Sequence, residues 1–240
     1  MSFLALFIRR LLTALGIPLV TIVGSVAAIV LWPFSRRGNI GFSIGRMWSR
    51  MLLGLGGVRV EVRSQGKLPE GAYVFVANHS SNLDIWLMFA HLRYDFRFVS
   101  KKEWGYVPLF GWAMRAADIV FVDRGNSRKA MTSIIHAADK IRAGRSILIF
   151  PEGTRSRTGE LLPFKGGALY LALRAKVPVV PIAIEGAFTL MPPSRSFITP
   201  GKIVIHIGTP IETASRRTAD RNALADEARD QIRAMLGRSA

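Results

Sequence analysis

Tyr73-Val74-Phe75-Val76-Ala77-Asn78-His79-Ser80-Ser81-Asn82-Leu83-Asp84-Ile85-Trp86-Leu87-Met88-Phe89 passes from a short apolar run through a polar turn into a longer apolar run. Aromatic and β-branched residues in the first run favour a strand, and the Asn and Ser cluster supplies turn and helix-capping chemistry before the second. Strand end, turn and helix start form the repeating unit of a sheet with helices laid across it. The same pattern recurs along the chain. Short Val, Ile and Phe-rich runs predict further strands at Val58–Arg63, Phe96–Val99, Ile119–Val122, Ser146–Phe150, Val177–Ile184 and Lys202–Ile207. Between them, Ser127–Arg142, Gly166–Ala175 and Ala219–Leu236 carry apolar residues at helical spacing. The alternation predicts an α/β fold, a mixed, largely parallel sheet covered by helices.

The region before Val58 has a different character. Its first sixty residues hold seven arginines and no Asp or Glu, and between the pairs Arg9-Arg10 and Arg36-Arg37 lies an apolar run from Leu11 to Phe34. At ~1.5 Å per residue that run makes roughly 36 Å of helix, enough to cross a ~30 Å hydrocarbon layer with tilt, although Gly16, Pro18 and Gly24 are candidate bends. It ends in Trp32-Pro33-Phe34-Ser35-Arg36-Arg37, an interfacial stop rather than a small-residue cleavage site. Gly41 to Gly57 mixes large apolar residues with Arg46 and Arg50, the pattern of an amphipathic helix lying in a membrane interface, with an ordinary core-packing helix hairpin as the alternative. The expected organisation is therefore a membrane-engaging helical motif at 1–57 and one α/β domain at 58–240. Met191–Pro200, rich in proline, is the candidate functional loop.

The 240 residues contain 33 Lys plus Arg against 16 Asp plus Glu, a formal charge of +17, and no cysteine. Disulfides, thiolate metal sites and a cysteine nucleophile are excluded. The basic excess attracts polyanions without choosing among lipid surfaces, acidic carrier proteins and nucleic acid. Elbow, dinucleotide and nucleoside triphosphate signatures are absent.

Two polar segments at strand ends carry candidate chemistry. His79 in the turn and Asp84 in the first helical turn can meet, so that the carboxylate fixes the imidazole tautomer and leaves the other ring nitrogen free to take a proton. A capping Asp beside an unrelated His is the competing explanation. The second segment is Phe150-Pro151-Glu152-Gly153-Thr154-Arg155-Ser156. Gly153 permits close backbone approach, Thr154 and Ser156 offer hydroxyls, and Arg155 has the bidentate fork suited to phosphate. Glu152 has two readings: it fixes the Arg or a nearby turn, or it accepts a hydrogen bond from a substrate hydroxyl. Lys101-Lys102 and Asp123-Arg124 also fall at strand ends, and convergence along one sheet edge explains all four clusters together. A base beside an anion clamp fits acyl transfer to a phosphorylated alcohol. A metal site built from His79, Asp84, Asp123 and Glu152 lacks a second spaced His, and no metal is expected. His91, His136 and His206 read as structural.

These segments resemble the glycerolipid acyltransferase family, in its lysophosphatidic acid acyltransferase branch. Asn78 to Asp84 is similar to the family's first block, and Lys101-Lys102-Glu103 through Pro108-Leu109-Phe110-Gly111-Trp112 with Phe121-Val122-Asp123-Arg124 resembles the second. Phe150 to Ser156 resembles the third block and Val177 to Ile184 the fourth. The resemblance implies that His79 is the general base with Asp84 as its partner. It further implies that Lys101, Arg124, Glu152, Gly153, Thr154 and Arg155 belong to the acceptor site, with Lys101 preferred over Lys102, and that Val177 and Pro178 shape an acyl pocket.

The implied activity is transfer of a fatty acyl group from a thioester, acyl-CoA or acyl carrier protein, to the sn-2 hydroxyl of lysophosphatidic acid, without a further cofactor. Glycerol-3-phosphate and other lysophospholipids are the alternative acceptors. A non-catalytic anionic-lipid-binding protein is the alternative of a different class. The implied partners are the two substrates, an anionic membrane surface and an acyl carrier protein, not nucleic acid. The implied location is the inner or cytoplasmic membrane, with the catalytic domain facing the cytoplasm.

Overall fold

The computed structural model describes residues 3–123, 125 and 127–237. Among them, seven strands form one sheet: β1 (Val58–Ser64), β2 (Val74–Ala77), β3 (Phe96–Lys101), β4 (Val120–Val122), β5 (Ser146–Ile149), β6 (Val179–Glu185) and β7 (Gly201–Ile207). Their order is β1-β7-β6-β2-β5-β3-β4. The five strands from β6 to β4 run parallel, β1 and β7 run parallel to each other, and the β6–β7 pairing alone is antiparallel. The helices are α1 (Phe3–Val30), α2 (Asn39–Gly56), α3 (Leu83–His91), α4 (Phe110–Ala116), α5 (Ser127–Arg142), α6 (Gly166–Ala175), the single turn α7 (Ala187–Leu190) and α8 (Arg221–Leu236).

Strand alternation divides the core in two. Phe75, Ala77, Leu148, Ile182 and Ile205 point to one face, where Phe42 and Leu53 of α2 and Leu83, Leu87 and Met88 of α3 cover them. Val74, Val76, Ile147, Ile149 and Ala183 point to the other, under Ala138 and Ile141 of α5, Leu169 and Ala172 of α6, and Leu224, Ala228 and Ile232 of α8. Both faces are covered, as near-continuous apolar strands require.

All seven expected strands are present, shifted at their ends for local reasons. β6 starts at Val179 because Pro178 has no N–H and the Val177 N–H closes α6 by donating to the Ala172 carbonyl at 3.3 Å. The Tyr73 N–H goes to the Ser146 hydroxyl at 3.1 Å, and the Ile119 N–H caps α4 through the Met114 carbonyl at 3.1 Å. The chain from Thr218 to Asp220 is a 3-10 turn that leads into α8. α4 and α7 were not legible as helices.

The apolar run expected at Leu11–Phe34 lies in a helix that reaches back to Phe3, contains Pro18 and stops at Val30, with Trp32–Phe34 as a separate 3-10 turn. Its stretch Phe7–Val30 is long and apolar enough to cross a membrane. Phe7, Leu11, Leu15, Leu19, Val23 and Val30 are exposed along it, while the helix packs against α2 and α4.

α2 is not an appendage. Besides Phe42 and Leu53 in the core, its entry is fastened by Arg97, a wholly buried cation at the start of β3. The Arg97 guanidinium donates to the Arg37 carbonyl and the Asn39 side-chain oxygen, each at 3.1 Å, and to Asp95 at 2.5 Å, and it lies 4.6 Å over the Phe42 ring. Arg145 donates to the same Asn39 oxygen at 3.1 Å and to Asp118 at 3.2 Å. The core is therefore continuous across the expected boundary at residue 57, because α2 roofs the sheet.

Candidate active site

Because β2, β3, β4, β5 and β6 are mutually parallel, their C-terminal ends share one edge of the sheet. His79 lies two residues past β2, Glu152 three past β5, Lys101 ends β3 and Asp123 follows β4. Sheet order thus lines them up as His79, Glu152, Lys101 with Lys102, then Asp123, on neighbouring strands. This edge is where α/β sheets place ligands. Arg124, expected beside Asp123, lies outside the described residues.

At the His79 end, the turn is fixed from several sides. The imidazole Nδ1 stands 2.8 Å from Asp84 Oδ2, and the same oxygen accepts the Ser80 and Ser81 N–H groups at 2.8 Å each. Asp84 is fully buried at the start of α3, where the helix dipole favours a carboxylate. With Nδ1–H donating to Asp84, Nε2 keeps its lone pair. The ring is stacked on Phe150, centroids 4.1 Å apart at 17°, and its side chain is 15 % exposed. Outside the ring, the Asn78 amide donates to the Ile184 carbonyl at 3.0 Å and accepts the Ile184 N–H at 2.7 Å, tying the turn to β6. The Ser81 hydroxyl donates to the Met191 carbonyl at 2.7 Å, which fastens the candidate loop 191–200 to the same turn.

Glu152 takes the first of its two readings and fixes a nearby backbone turn. It is 3 % exposed, and its two oxygens accept backbone N–H groups: His79 at 2.6 Å and Leu162 at 3.2 Å. The reciprocal bond from the Ser156 N–H to the His79 carbonyl, at 2.8 Å, completes a clasp between the two polar segments. Burial pushes the Glu152 carboxyl up to about 7, against the lowering effect of those two N–H donors. Glu152 therefore fixes a turn, and the turn it fixes is the one bearing His79.

Gly153 has φ +76°, and a Cβ there would stand 3.0 Å from the Lys165 ammonium nitrogen, so the glycine both permits the turn and leaves room for that lysine. The sequence reading had not singled out Lys165. Thr154 is exposed, and Arg155 reaches across to donate to the Asn82 side-chain oxygen at 2.8 Å, which holds its guanidinium beside the His79 turn. Lys102 is 2.6 Å from Asp123, whose carboxylate raises the lysine's pKa, whereas Lys101 is 3.7 Å from Glu103. Val177 and Pro178 sit elsewhere. They precede β6, beside the start of β2, where the Val74 N–H donates to the Pro178 carbonyl at 3.0 Å. That is the edge opposite His79, and Val177 packs into the α6 and α8 core, so the structure does not bring these two into the site.

Among the described residues, no three His, Asp or Glu side chains gather as metal ligands. His206 stands 3.1 Å from Glu185 on β6, and burial lowers the His91 pKa. A surface depression of 360 Å³ beside Asn39, Ile40, Ser43, Ile44 and Met47 lies on α2, away from the His79 edge. The arrangement along that edge suits proton removal by His79 from a hydroxyl held next to guanidinium and ammonium groups.

Comparison with known proteins places this geometry. The yeast Saccharomyces cerevisiae 1-acyl-sn-glycerol-3-phosphate acyltransferase is 29 % identical over 229 residues, covering 94 % of this chain and 76 % of the relative. The enzyme of that name from Cocos nucifera is 31 % identical over 204 residues, covering 83 % and 65 %, and the human beta form is 34 % identical over 172 residues, covering 71 % and 62 %. The chain thus spans 62 to 76 % of these relatives' length. The crystal structure of the 1-acyl-sn-glycerophosphate (LPA) acyltransferase PlsC from Thermotoga maritima superposes with a TM-score of 0.73 at 24 % identity, covering 95 % of this chain and 97 % of that one, which shows a shared fold. The family described as Acyltransferase matches residues 59–185, from the first strand to the end of β6, and the chain belongs to that family.

Proposed function

We propose that this acyltransferase moves a fatty acyl group from an acyl thioester to the sn-2 hydroxyl of lysophosphatidic acid, giving phosphatidic acid. The names of its relatives support the acceptor, and the observation that carries the chemistry is the 2.8 Å contact between His79 and a wholly buried Asp84, with Arg155 docked on the same turn. His79 Nε2 takes the hydroxyl proton as the oxygen attacks the thioester carbonyl carbon, and Asp84 stabilises the imidazolium that forms. When the tetrahedral intermediate collapses, the carbon–sulfur bond breaks and the imidazolium returns its proton to the departing sulfur. The products are an ester and a free thiol, without a covalent acyl-enzyme. Coenzyme A and acyl carrier protein are both consistent donors, and their acidic character complements the chain's basic excess. The apolar α1 supports a membrane location, and we assign the His79 edge to the cytoplasmic side, where activated thioesters are found.

The test is an assay of detergent-purified protein against lysophosphatidic acid, glycerol-3-phosphate and lysophospholipids with blocked phosphates, each with both donor types. Preferred turnover of lysophosphatidic acid supports the reading. Equal turnover of acceptors with and without a free phosphate monoester overturns it.

Arg155 supplies a narrower expectation. Arg155→Ala raises the acceptor KM roughly ten- to hundredfold, the equivalent of a lost charge-assisted hydrogen bond of about 1.5–3 kcal/mol, with a smaller change in donor KM. Arg155→Lys recovers part of the loss, because an ammonium restores charge but not the planar fork. Steady-state kinetics with each substrate varied in turn check this.

A further inference from the structure

The segment that follows β3 exposes more aromatic surface than a water-facing loop requires. Trp104 is 53 %, Tyr106 71 % and Trp112 54 % exposed, with Val107 and Leu109 beside them also open. These side chains are not presented by a slack loop. Leu109 takes φ +61°, a left-handed value costly for a branched residue, and a Cβ on Gly111 would come within 2.4 Å of the Gly105 carbonyl oxygen. Arg115 donates to that same carbonyl at 2.7 Å while lying 5.6 Å over the Phe121 ring. The backbone is thus drawn into a tight hook whose rings face outward.

The hook is continuous with the apolar N-terminal helix. The Trp48 indole N–H donates to the Thr21 hydroxyl of α1 at 3.0 Å, the Trp48 ring stands 6.1 Å from Phe110, and Phe110 stands 6.2 Å from Trp104. A hydrogen bond and two ring contacts, through Trp48 of α2 and Phe110, therefore join the middle of α1 to the hook. On its other side the hook continues into Lys101 and Lys102, cations at the sheet edge that carries His79. Two tryptophans and a tyrosine with amphipathic rings, next to ammonium groups and an exposed apolar helix, match the headgroup level of an anionic bilayer.

We infer that residues 104–112 form a second membrane-inserting element, separate in sequence from α1 and α2, which seats the sheet edge bearing His79 against the lipid headgroups. With α1 alone the domain is free to swivel about one attachment. A second attachment at the end of β3 fixes which edge faces the lipid. This inference stands on exposed rings and backbone geometry and does not depend on the acyl-transfer reading.

The absence of cysteine allows a direct test, since one introduced thiol labels at one site. Full-length Tyr106→Cys and, as a control on the far face of the sheet, Asp226→Cys on α8 are labelled with an environment-sensitive fluorophore. Both are then reconstituted into phosphatidylglycerol–phosphatidylethanolamine vesicles containing lipids spin-labelled near the headgroup. Strong quenching at position 106, at least about threefold greater than at position 226, is expected if the rings insert. Equal quenching at the two positions overturns the inference. So does a position-106 label that stays open to aqueous iodide in vesicles and becomes shielded only when an acidic carrier protein is added, since the hook would then be a protein-docking surface.

Discussion

His79→Ala lowers turnover at least ~100-fold with the fold and membrane association intact, because removing a general base forfeits a factor of that size or more. The fold is expected to survive because the turn is held by groups other than the imidazole. Glu152 grips the His79 main chain at 2.6 Å, Asn78 bridges to Ile184, and Asp84 keeps its bonds to the Ser80 and Ser81 N–H groups. Asp84→Asn has a different expected signature. Nδ1–H and both N–H groups bind the one oxygen Oδ2, which an amide oxygen replaces only as a neutral and weaker acceptor, while the amide N–H₂ falls where the buried Oδ1 has no partner. Turnover drops through weaker imidazolium stabilisation, and stability falls with it. Single-turnover acyl transfer beside thermal unfolding of the same samples separates the two effects. Near-wild-type turnover by folded His79→Ala removes His79 from the chemistry.

The second large effect belongs to Glu152 and is read as a pH dependence. Its folded pKa, about 7, exceeds the ordinary carboxyl value of 4.5, with burial as the first cause. The native state therefore binds this proton more tightly than the unfolded chain does. Its contribution to stability is full below pH 4.5, declines as pH rises, and is lost above about 7. The loss is on the order of 3 kcal/mol at most, reduced by whatever solvent reaches the turn. Glu152→Gln removes that pH dependence but turns an amide N–H₂ toward one of two backbone donors, His79 or Leu162, and so breaks one half of the clasp. The expected result is a variant whose stability is flat between pH 4.5 and 7 where the wild type declines, and whose kcat falls more than its acceptor KM rises. A large acceptor KM effect with unchanged kcat would return Glu152 to the substrate.

The sheet was legible because its strands are short, apolar and bounded by turn residues, and each run from Val58 to Ile207 carries its own evidence. The clustering at one edge was legible too, since parallel strands separated by helices put all their C-terminal ends together. What was hidden depends on strand order. Nothing local to Glu152 says that β5 lies beside β2, and only that adjacency lets its carboxylate meet a backbone N–H 73 positions away. Val177 and Pro178 show the same gap in reverse: they begin a strand whose other end reaches the site, and a matching block of sequence does not distinguish the two ends. The packing of α2 on the sheet was hidden for a related reason. Phe42 and Leu53 look identical whether an amphipathic helix meets lipid or a sheet, and α2 meets the sheet. The short α4 escaped because Gly105 and Gly111 read as loop residues, when they are what allows the tight hook to close.

The pairing of β1 with β7 bears on how the protein is made. β1 is an edge strand whose hydrogen-bonded neighbour is β7, and the whole of residues 65–200 lies between the end of one and the start of the other. At roughly 5–20 residues per second of synthesis, β1 waits on the order of ten seconds for its partner. During that interval β1 waits with an open hydrogen-bonding edge. Arg59, Glu61 and Arg63 on that strand place alternating charge along the exposed edge, a guard against pairing with the wrong chain during the delay.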